Sequence, residues 1–208
     1  MPGIDETGYY STFPVGIGRW DFFMNRRGVL LPLAAGILLL GIAGARAEDG
    51  KTVECSDTPL KFDAPGYDVS CKDLSEASMN AGEQSAALKA FTLHAMSKAE
   101  ATFLDVVDYH VAGNTRIVYS AGSVQSDVER LFGAKFANWS KDSDIGGFEV
   151  ARVSATFNNA DPLDCIGFQR LGGHRWGGVG GMTVGLSCSV LGRDHAVEAL
   201  KHFSGGGN

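Results

Sequence analysis

The chain has 208 residues and a formal net charge of −6 at pH 7. This length suits one folded core, and the acidic charge argues against nucleic acid or an anionic membrane surface as the main partner, because both attract basic proteins. No catalytic or cofactor-binding motif stands out, and no pattern is specific enough to indicate a family.

The segment 24–47 has the three parts of an export signal. Arg26 and Arg27 give it a positive start, and an uncharged apolar run follows. Ala45 and Ala47 then place small residues at the two positions that a signal peptidase recognises, which predicts cleavage after Ala47. We therefore expect the rest of the chain to be a periplasmic or secreted bacterial protein.

Two alternatives for this segment stay open. The uncharged run from Gly28 to Ala45 has 18 residues, at the short end of what crosses a bilayer. The first alternative is that the segment is retained as a membrane anchor, with the domain outside the cytoplasm. The arginine pair also partly matches a twin-arginine signal, which would export the domain already folded. Residues 1–23 do not resemble the start of a signal, and we interpret them as non-native, with translation starting at Met24. The alternative is that they form an extended leader.

The cysteines all lie within residues 48–208, the predicted exported domain. They are Cys55, Cys71, Cys165 and Cys188. An even number in an exported chain predicts two disulfides, and the local spacing favours the pairs Cys55–Cys71 and Cys165–Cys188. No two cysteines have the short spacing typical of a zinc site, and the sequence predicts neither a metal nor a cofactor.

The first half of the exported domain predicts strands around one helix. Residues 51–72 predict two short strands that form a hairpin clipped by the first cysteine pair. Apolar residues in 83–100 repeat at three and four, which predicts a helix, although a strand from Leu88 to Met96 fits the alternation there as well. Strands near 102–111 and 115–120 follow.

The second half predicts a helix, a sheet and a closing helix. Ser123 is a good N-cap for a helix whose apolar stripe runs from Val124 to Trp139. Three antiparallel strands and the closing helix are predicted over residues 148–157, 165–170, 182–190 and 194–203. The sum is a single small α+β domain, a mostly antiparallel sheet with two or three packing helices and two disulfides.

A glycine-rich stretch, 172–181, is predicted to be a flexible hairpin loop. It lacks the spacing of a phosphate-binding loop, and a strand rather than a helix follows it. Arg170, His174, Arg175 and Trp176 cluster at this stretch, where two guanidinium groups and an indole suit an anionic or sugar-like ligand. These four residues are the predicted binding surface for a small ligand or an envelope component.

Two further groups of residues carry possible chemistry. Asp105, Asp108 and His110 form an acid–base-rich run, which would need to converge in space to work as a catalyst. His195, Glu198 and His202 share one face of the last helix, and we interpret that face as solvent-exposed rather than metal-binding.

The function predicted from these features is an exported envelope or periplasmic binding module without enzymatic activity. The alternatives are a small secreted hydrolase that uses Asp105, Asp108 or a histidine, and a membrane-anchored accessory subunit. No residue is assigned as catalytic.

Overall fold

The computed structural model describes residues 50–75, 88–111, 117, 122–158, 160–175 and 178–206. The predicted leader, the export signal with Ala45 and Ala47, and most of the predicted strand 115–120 lie outside these residues. Among the described residues, no helix combines the length and the apolar character needed to cross a bilayer.

The described residues form ten strands, two α-helices and one short 3-10 helix. The strands are β1 (Lys51–Val53), β2 (Leu60–Phe62), β3 (Asp68–Asp73), β4 (Leu88–Ser97), β5 (Thr102–Val111), β6 (Lys135–Lys141), β7 (Glu149–Thr156), β8 (Leu163–Arg175), β9 (Gly178–Ser189) and β10 (Phe203–Gly205). The helices are α1 (Val124–Leu131), α2 (Arg193–Lys201) and the 3-10 helix (Cys55–Asp57).

Eight strands make one sheet in the order β1-β3-β4-β5-β9-β8-β7-β6, and every neighbouring pair is antiparallel. A separate antiparallel pair joins β2 to β10, near the two ends of the described chain. The predicted fold class therefore agrees with the structure in its main features, a mostly antiparallel sheet with two helices.

The sheet has a hydrophobic core on each face, because successive side chains of a strand point to opposite faces and apolar residues occupy both. Helix α2 packs on β5, β8 and β9, and the core on this face, the α2 face, also includes Phe203 of β10. Helix α1 packs on β7, β8 and β9 on the opposite face, the α1 face. The two cores include Leu93, Leu104, Val106, Ile166 and Phe168 on the α2 face, and Phe103, Val153, Val184, Leu186 and Cys188 on the α1 face.

Both predicted disulfides are confirmed. Cys55–Cys71 joins the 3-10 helix to β3, and Cys165–Cys188 joins β8 to β9 at directly opposed positions whose Cα atoms are 4.1 Å apart. The hairpin predicted over 165–190 is also confirmed, although its strands continue into the glycine-rich stretch. Two disulfides indicate an oxidising, extracytoplasmic environment.

The helix predicted over 83–100 is wrong for the described part, residues 88–100, where Leu88–Ser97 is strand β4 and a turn follows. Leu93 faces Val106 and Ala95 faces Leu104 on β5, so the alternating residues join the α2-face core. Strands on both sides of β4 supply its main-chain hydrogen bonds. This pairing with distant segments decides in favour of the strand, because the local pattern fitted both structures.

The second predicted helix is correct at its start and too long at its end. Ser123 is the N-cap, and its side chain accepts a hydrogen bond from the backbone N–H of Ser126. The helix ends at Leu131, shortly before Gly133, and the chain turns back as β6 to pair with β7. Trp139 therefore packs in the same core as the helix but from a strand, donating a hydrogen bond from its indole Nε1 to the helix.

The predicted N-terminal hairpin is also wrong in its pairing. Strand β2 pairs with β10, whereas β3 pairs with β1 and β4. The disulfide, rather than a shared ladder, holds the 3-10 helix before β2 against β3. A strand of three residues has too few hydrogen bonds to fix its own partner, so the buried Leu60 and Phe203 determine where β2 lies.

Candidate functional site

Strand β5 carries the two aspartates of two histidine–aspartate pairs, one pair on each face of the sheet. Asp105 and Asp108 are three residues apart, and because side chains alternate along a strand they point to opposite faces. Asp105 pairs with His94 of β4 on the α1 face. Asp108 pairs with His110 of its own strand on the α2 face. The acid–base run that the sequence singled out is thus divided between two sites.

The His94–Asp105 pair is short and partly open to solvent. Nδ1 of His94 lies 2.5 Å from Oδ1 of Asp105, and the side chains are 42% and 22% exposed. Ser70 of β3 is exposed and lies directly across from His94, while Val107 follows Asp105 on the same face and is half-buried. The three strands β3, β4 and β5 therefore present a partly polar surface, which we call the His94 face.

The register aligns Ser70, His94 and Asp105 in one row across three strands. A serine nucleophile needs its hydroxyl within hydrogen-bond reach of the histidine. The Asp105 half of that arrangement is present at 2.5 Å. In the described part of the chain, the Ser70 hydroxyl makes no hydrogen bond to the His94 ring.

The His94–Asp105 pair makes the stability of the domain depend on pH. The hydrogen bond to the Asp105 carboxylate raises the pKa of His94 above its ordinary value of 6.5. The folded state thus holds this proton more tightly than the unfolded state. The resulting stabilisation is complete below about pH 6.5 and is lost as the pH rises through the pKa of folded His94. We expect His94→Gln to lower the free energy of unfolding by more at about pH 5.5 than at about pH 9, measured by urea titration.

His195→Gln is the matched control, because the two imidazoles are equally exposed, at 44% and 42%, but His195 lies 3.9 Å from the nearest carboxylate oxygen, on Glu100. A second check is an NMR titration of the His94 ring. Its midpoint should fall in Asp105→Asn, since the amide removes the negative charge. An unchanged midpoint, or equal losses for His94→Gln at both pH values, would contradict the coupling.

The second pair belongs to a buried polar row on the α2 face. Asp108 is completely buried and accepts a hydrogen bond of 2.7 Å from the Thr183 hydroxyl on β9. Nδ1 of His110 lies 3.1 Å from the other carboxylate oxygen of Asp108. The ring of Phe91 stacks on the His110 imidazole, with the two ring centroids 5.7 Å apart. Arg170 of β8 is directly opposite Thr183 on the other side of β9, which completes the row.

The guanidinium of Arg170 is used within the fold. Its Nη2 donates hydrogen bonds to the carbonyl oxygens of Gly205 and Gly206, the second at 2.5 Å. Its Cζ lies 4.5 Å from the centroid of the Phe148 ring, within the range of a cation–π contact. The residue that was predicted to bind a ligand at the hairpin thus contacts the last described residues of the chain, 35 and 36 positions away.

His174 and Arg175, two other members of the predicted binding surface, lie in the last part of β8, where it pairs with the start of β9. His174 is paired with Val179 and Arg175 with Gly178 in the strand register, so the stretch predicted as a loop is largely strand. The side chains of His174 and Arg175, and the whole of Trp176, are outside the described part of the structure. Their role in binding stays a prediction.

The polar residues of the last helix make paired surface contacts. Nε2 of His202 is 3.7 Å from a carboxylate oxygen of Glu198, whose other oxygen lies 2.9 Å from Nζ of Lys201. Among the residues that the structure describes, no three His, Cys, Asp or Glu side chains converge as they would around a metal ion.

Sequence reasoning missed His94 and Thr183 as members of these sites. The helical interpretation of 83–100 hid the relation between His94 and Asp105, which exists only once β4 and β5 pair. Thr183 lies 75 residues from Asp108, and nothing in the sequence between them signals the contact. Alternation of His94 with Leu93 and Ala95 was the one available signal for a strand.

The fold and the two pairs define a disulfide-bonded, antiparallel-sheet domain of an oxidising, extracytoplasmic environment. No protein-family model matches the chain, and no curated protein or solved structure shows significant similarity to it. What the domain does must therefore be inferred from its own residues.

Proposed function

We propose that this chain is an exported protein of the periplasm or cell envelope, without enzymatic activity, that binds a polar ligand or partner through the His94 face. The His94–Asp105 pair carries this proposal. A histidine and a carboxylate in direct contact are left partly in solvent on central strands of a cross-linked sheet, where their positions are fixed before any partner arrives. Preorganised polar groups of this kind lose little entropy on binding.

The composition of the His94 face favours recognition over catalysis. Hydroxyls of Ser70 and Thr92 flank the imidazole of His94. Together these three groups supply both donors and acceptors for a hydrogen-bonding partner. An apolar docking surface is not favoured here. Among the described residues, the exposed large hydrophobic side chains are Val69, which borders the His94 face, and Val190 and Leu191, which lie elsewhere.

Site-specific photo-crosslinking in cells tests the proposal. A photoreactive amino acid at Ser70, beside His94, should capture an envelope component, and His94→Ala should reduce that capture about tenfold or more. The same amino acid at Glu198, an exposed position on α2, is the matched control and should capture nothing specific. Equal capture from both positions, or capture that His94→Ala leaves unchanged, would refute the His94 face as the binding surface.

A probe at Trp176 in the same experiment tests the hairpin tip that the sequence predicts. Capture there, lost in Arg175→Ala and absent at Ser70, would transfer the binding function to the tip. Because the two surfaces are on different strands, the two arms give separate answers.

A secreted hydrolase is the second candidate, and the 2.5 Å contact between His94 and Asp105 favours it. In such an enzyme Asp105 would orient the ring and His94 would act as general base for Ser70 or for water. A fluorophosphonate probe that labels wild-type protein but not Ser70→Ala would support it. No labelling, together with no hydrolysis of ester, amide or glycoside test substrates, would exclude the serine mechanism. The third alternative, a membrane-anchored accessory subunit, depends on whether the segment 24–47 is retained.

A further inference from the structure

The buried polar row on the α2 face places a carboxylate, a hydroxyl and a guanidinium in register on the neighbouring strands β5, β9 and β8. Asp108 and Thr183 are both completely buried, and apolar residues of similar size would fill their positions at lower desolvation cost. The guanidinium of Arg170 adds a positive group at the same place, held against the ring of Phe148. Buried polar groups of this kind need hydrogen-bonding partners.

The row is occupied by the main chain of Gly205 and Gly206, which we call the C-terminal segment. Arg170 donates to two consecutive carbonyl oxygens of this segment. The backbone N–H of Gly206 donates to the carbonyl of Pro59 at 3.2 Å, and Gly205 pairs with Leu60 of β2. Phe203, two residues earlier, is buried in the α2-face core and is not part of the segment. The segment is thus recognised mainly through its backbone, in the manner of an added peptide strand.

Steric fit makes the recognition specific for glycine. A Cβ on Gly206 would lie 2.5 Å from Oδ1 of Asp108 and even closer to Oγ1 of Thr183. A Cβ on Gly205 would collide with the carbonyl oxygen of Pro59. Both glycines have positive φ angles, 102° and 70°, which other residues rarely adopt. The surface formed by Asp108, Thr183 and Pro59 therefore fits a glycine pair and no larger residue.

We propose that the row of Asp108, Thr183 and Arg170 is a binding site for a peptide main chain that contains a glycine pair, and that the C-terminal segment occupies it as a displaceable internal ligand. The site accepts the same segment in trans from a second copy of the chain. This site is distinct from the His94 face, which lies on the opposite side of the sheet. The proposal for the His94 face and the proposal for this site are therefore tested independently.

The test uses the full exported domain and a fluorescein-labelled peptide of residues 204–208. Gly206→Ala should expel the C-terminal segment, and fluorescence anisotropy should then show the peptide binding about tenfold or more tightly than it binds wild-type protein, whose site is filled. Gly133→Ala is the matched control, because a Cβ there meets no atom within 4 Å, and it should behave as wild type. A peptide carrying Gly206→Ala should fail to bind.

Three results would overturn the proposal. The peptide could bind Gly206→Ala and Gly133→Ala protein equally well, it could fail to bind folded Gly206→Ala protein, or the alanine-containing peptide could bind as well as the unchanged peptide. If Gly206→Ala does not fold, hydrogen exchange of the wild-type protein decides. A displaceable segment requires the Gly206 amide to exchange about tenfold or more faster than the Val184 amide in the central strand β9. Equal rates would mean that the segment leaves only on global unfolding, which would refute the proposal.

Discussion

Replacing both Cys165 and Cys188 with alanine should lower the free energy of unfolding by about 3 kcal/mol or more. Most of this loss comes from the unfolded chain, which regains the freedom of a loop between residues 23 positions apart. Both cysteines are at most 1% exposed, so their removal also leaves a small cavity in the α1-face core. Urea titration of the purified domain, with matched signals from circular dichroism and tryptophan fluorescence, measures the loss.

The comparison variant replaces Cys55 and Cys71 with alanine. This pair spans 16 positions and joins a 3-10 helix, in which Cys55 is half-buried and the other two residues are exposed, to β3 towards the end of the sheet. Its loss should therefore cost less than that of the central pair, since fewer buried atoms are removed. The prediction is contradicted if the Cys165/Cys188 variant unfolds at the wild-type urea concentration, or if the Cys55/Cys71 variant is the less stable of the two.

Phe168→Ala is expected to cost about 3–5 kcal/mol and to leave little folded protein at 37 °C. Phe168 is completely buried in the middle of β8 and packs edge-on against Phe148, with ring centroids 5.3 Å apart. It also contacts Phe203, which ties β10 to the sheet. Gly185 on β9 makes room for the ring, because a Cβ there would lie 2.5 Å from Cε2 of Phe168 and closer still to Cζ. The space is therefore shaped for an aromatic ring that alanine leaves empty.

Val190→Ala is the control for the loss of a hydrophobic side chain without a cavity, because Val190 is 56% exposed. It should change the free energy of unfolding by about 0.5 kcal/mol or less. Thermal unfolding followed by calorimetry gives both values. A melting temperature of Phe168→Ala close to that of Val190→Ala would show that this cluster does not hold the α2-face core together.

The parts of the fold that were predictable from sequence are those set by local signals. Cysteine number and spacing predicted both disulfides, and Ser123 predicted the start of α1. The strand β4 was not predictable, because Leu88, Phe91 and Ala95 fit a helical period while Phe91, Leu93 and Ala95 fit a strand. Its pairing with β3 and β5 settled the structure, and that pairing is not a local property.

The candidate sites were less predictable than the fold for the same reason. Asp105 and Asp108 were recognised as chemically interesting, but a run of residues does not tell which of them share a face with partners from other strands. Arg170 was placed with a neighbouring loop, whereas its guanidinium contacts Gly205 and Gly206, which follow 35 and 36 positions later in the chain. Convergence of distant segments creates each site, and spacing along the chain does not record it.

The position of Asp105 and Asp108 on opposite faces of one strand limits how this sequence can change in length. A shift of β5 by one residue would move the buried carboxylate to the α1 face and the partly exposed one into the α2-face core, inverting both sites at once. The turn between β4 and β5, at residues 98–101, must therefore absorb any inserted or deleted residue itself. Ala101 there already has a positive φ of 44°, which leaves that turn little freedom. Homologous proteins that keep both histidine–aspartate pairs should therefore keep the length of this turn.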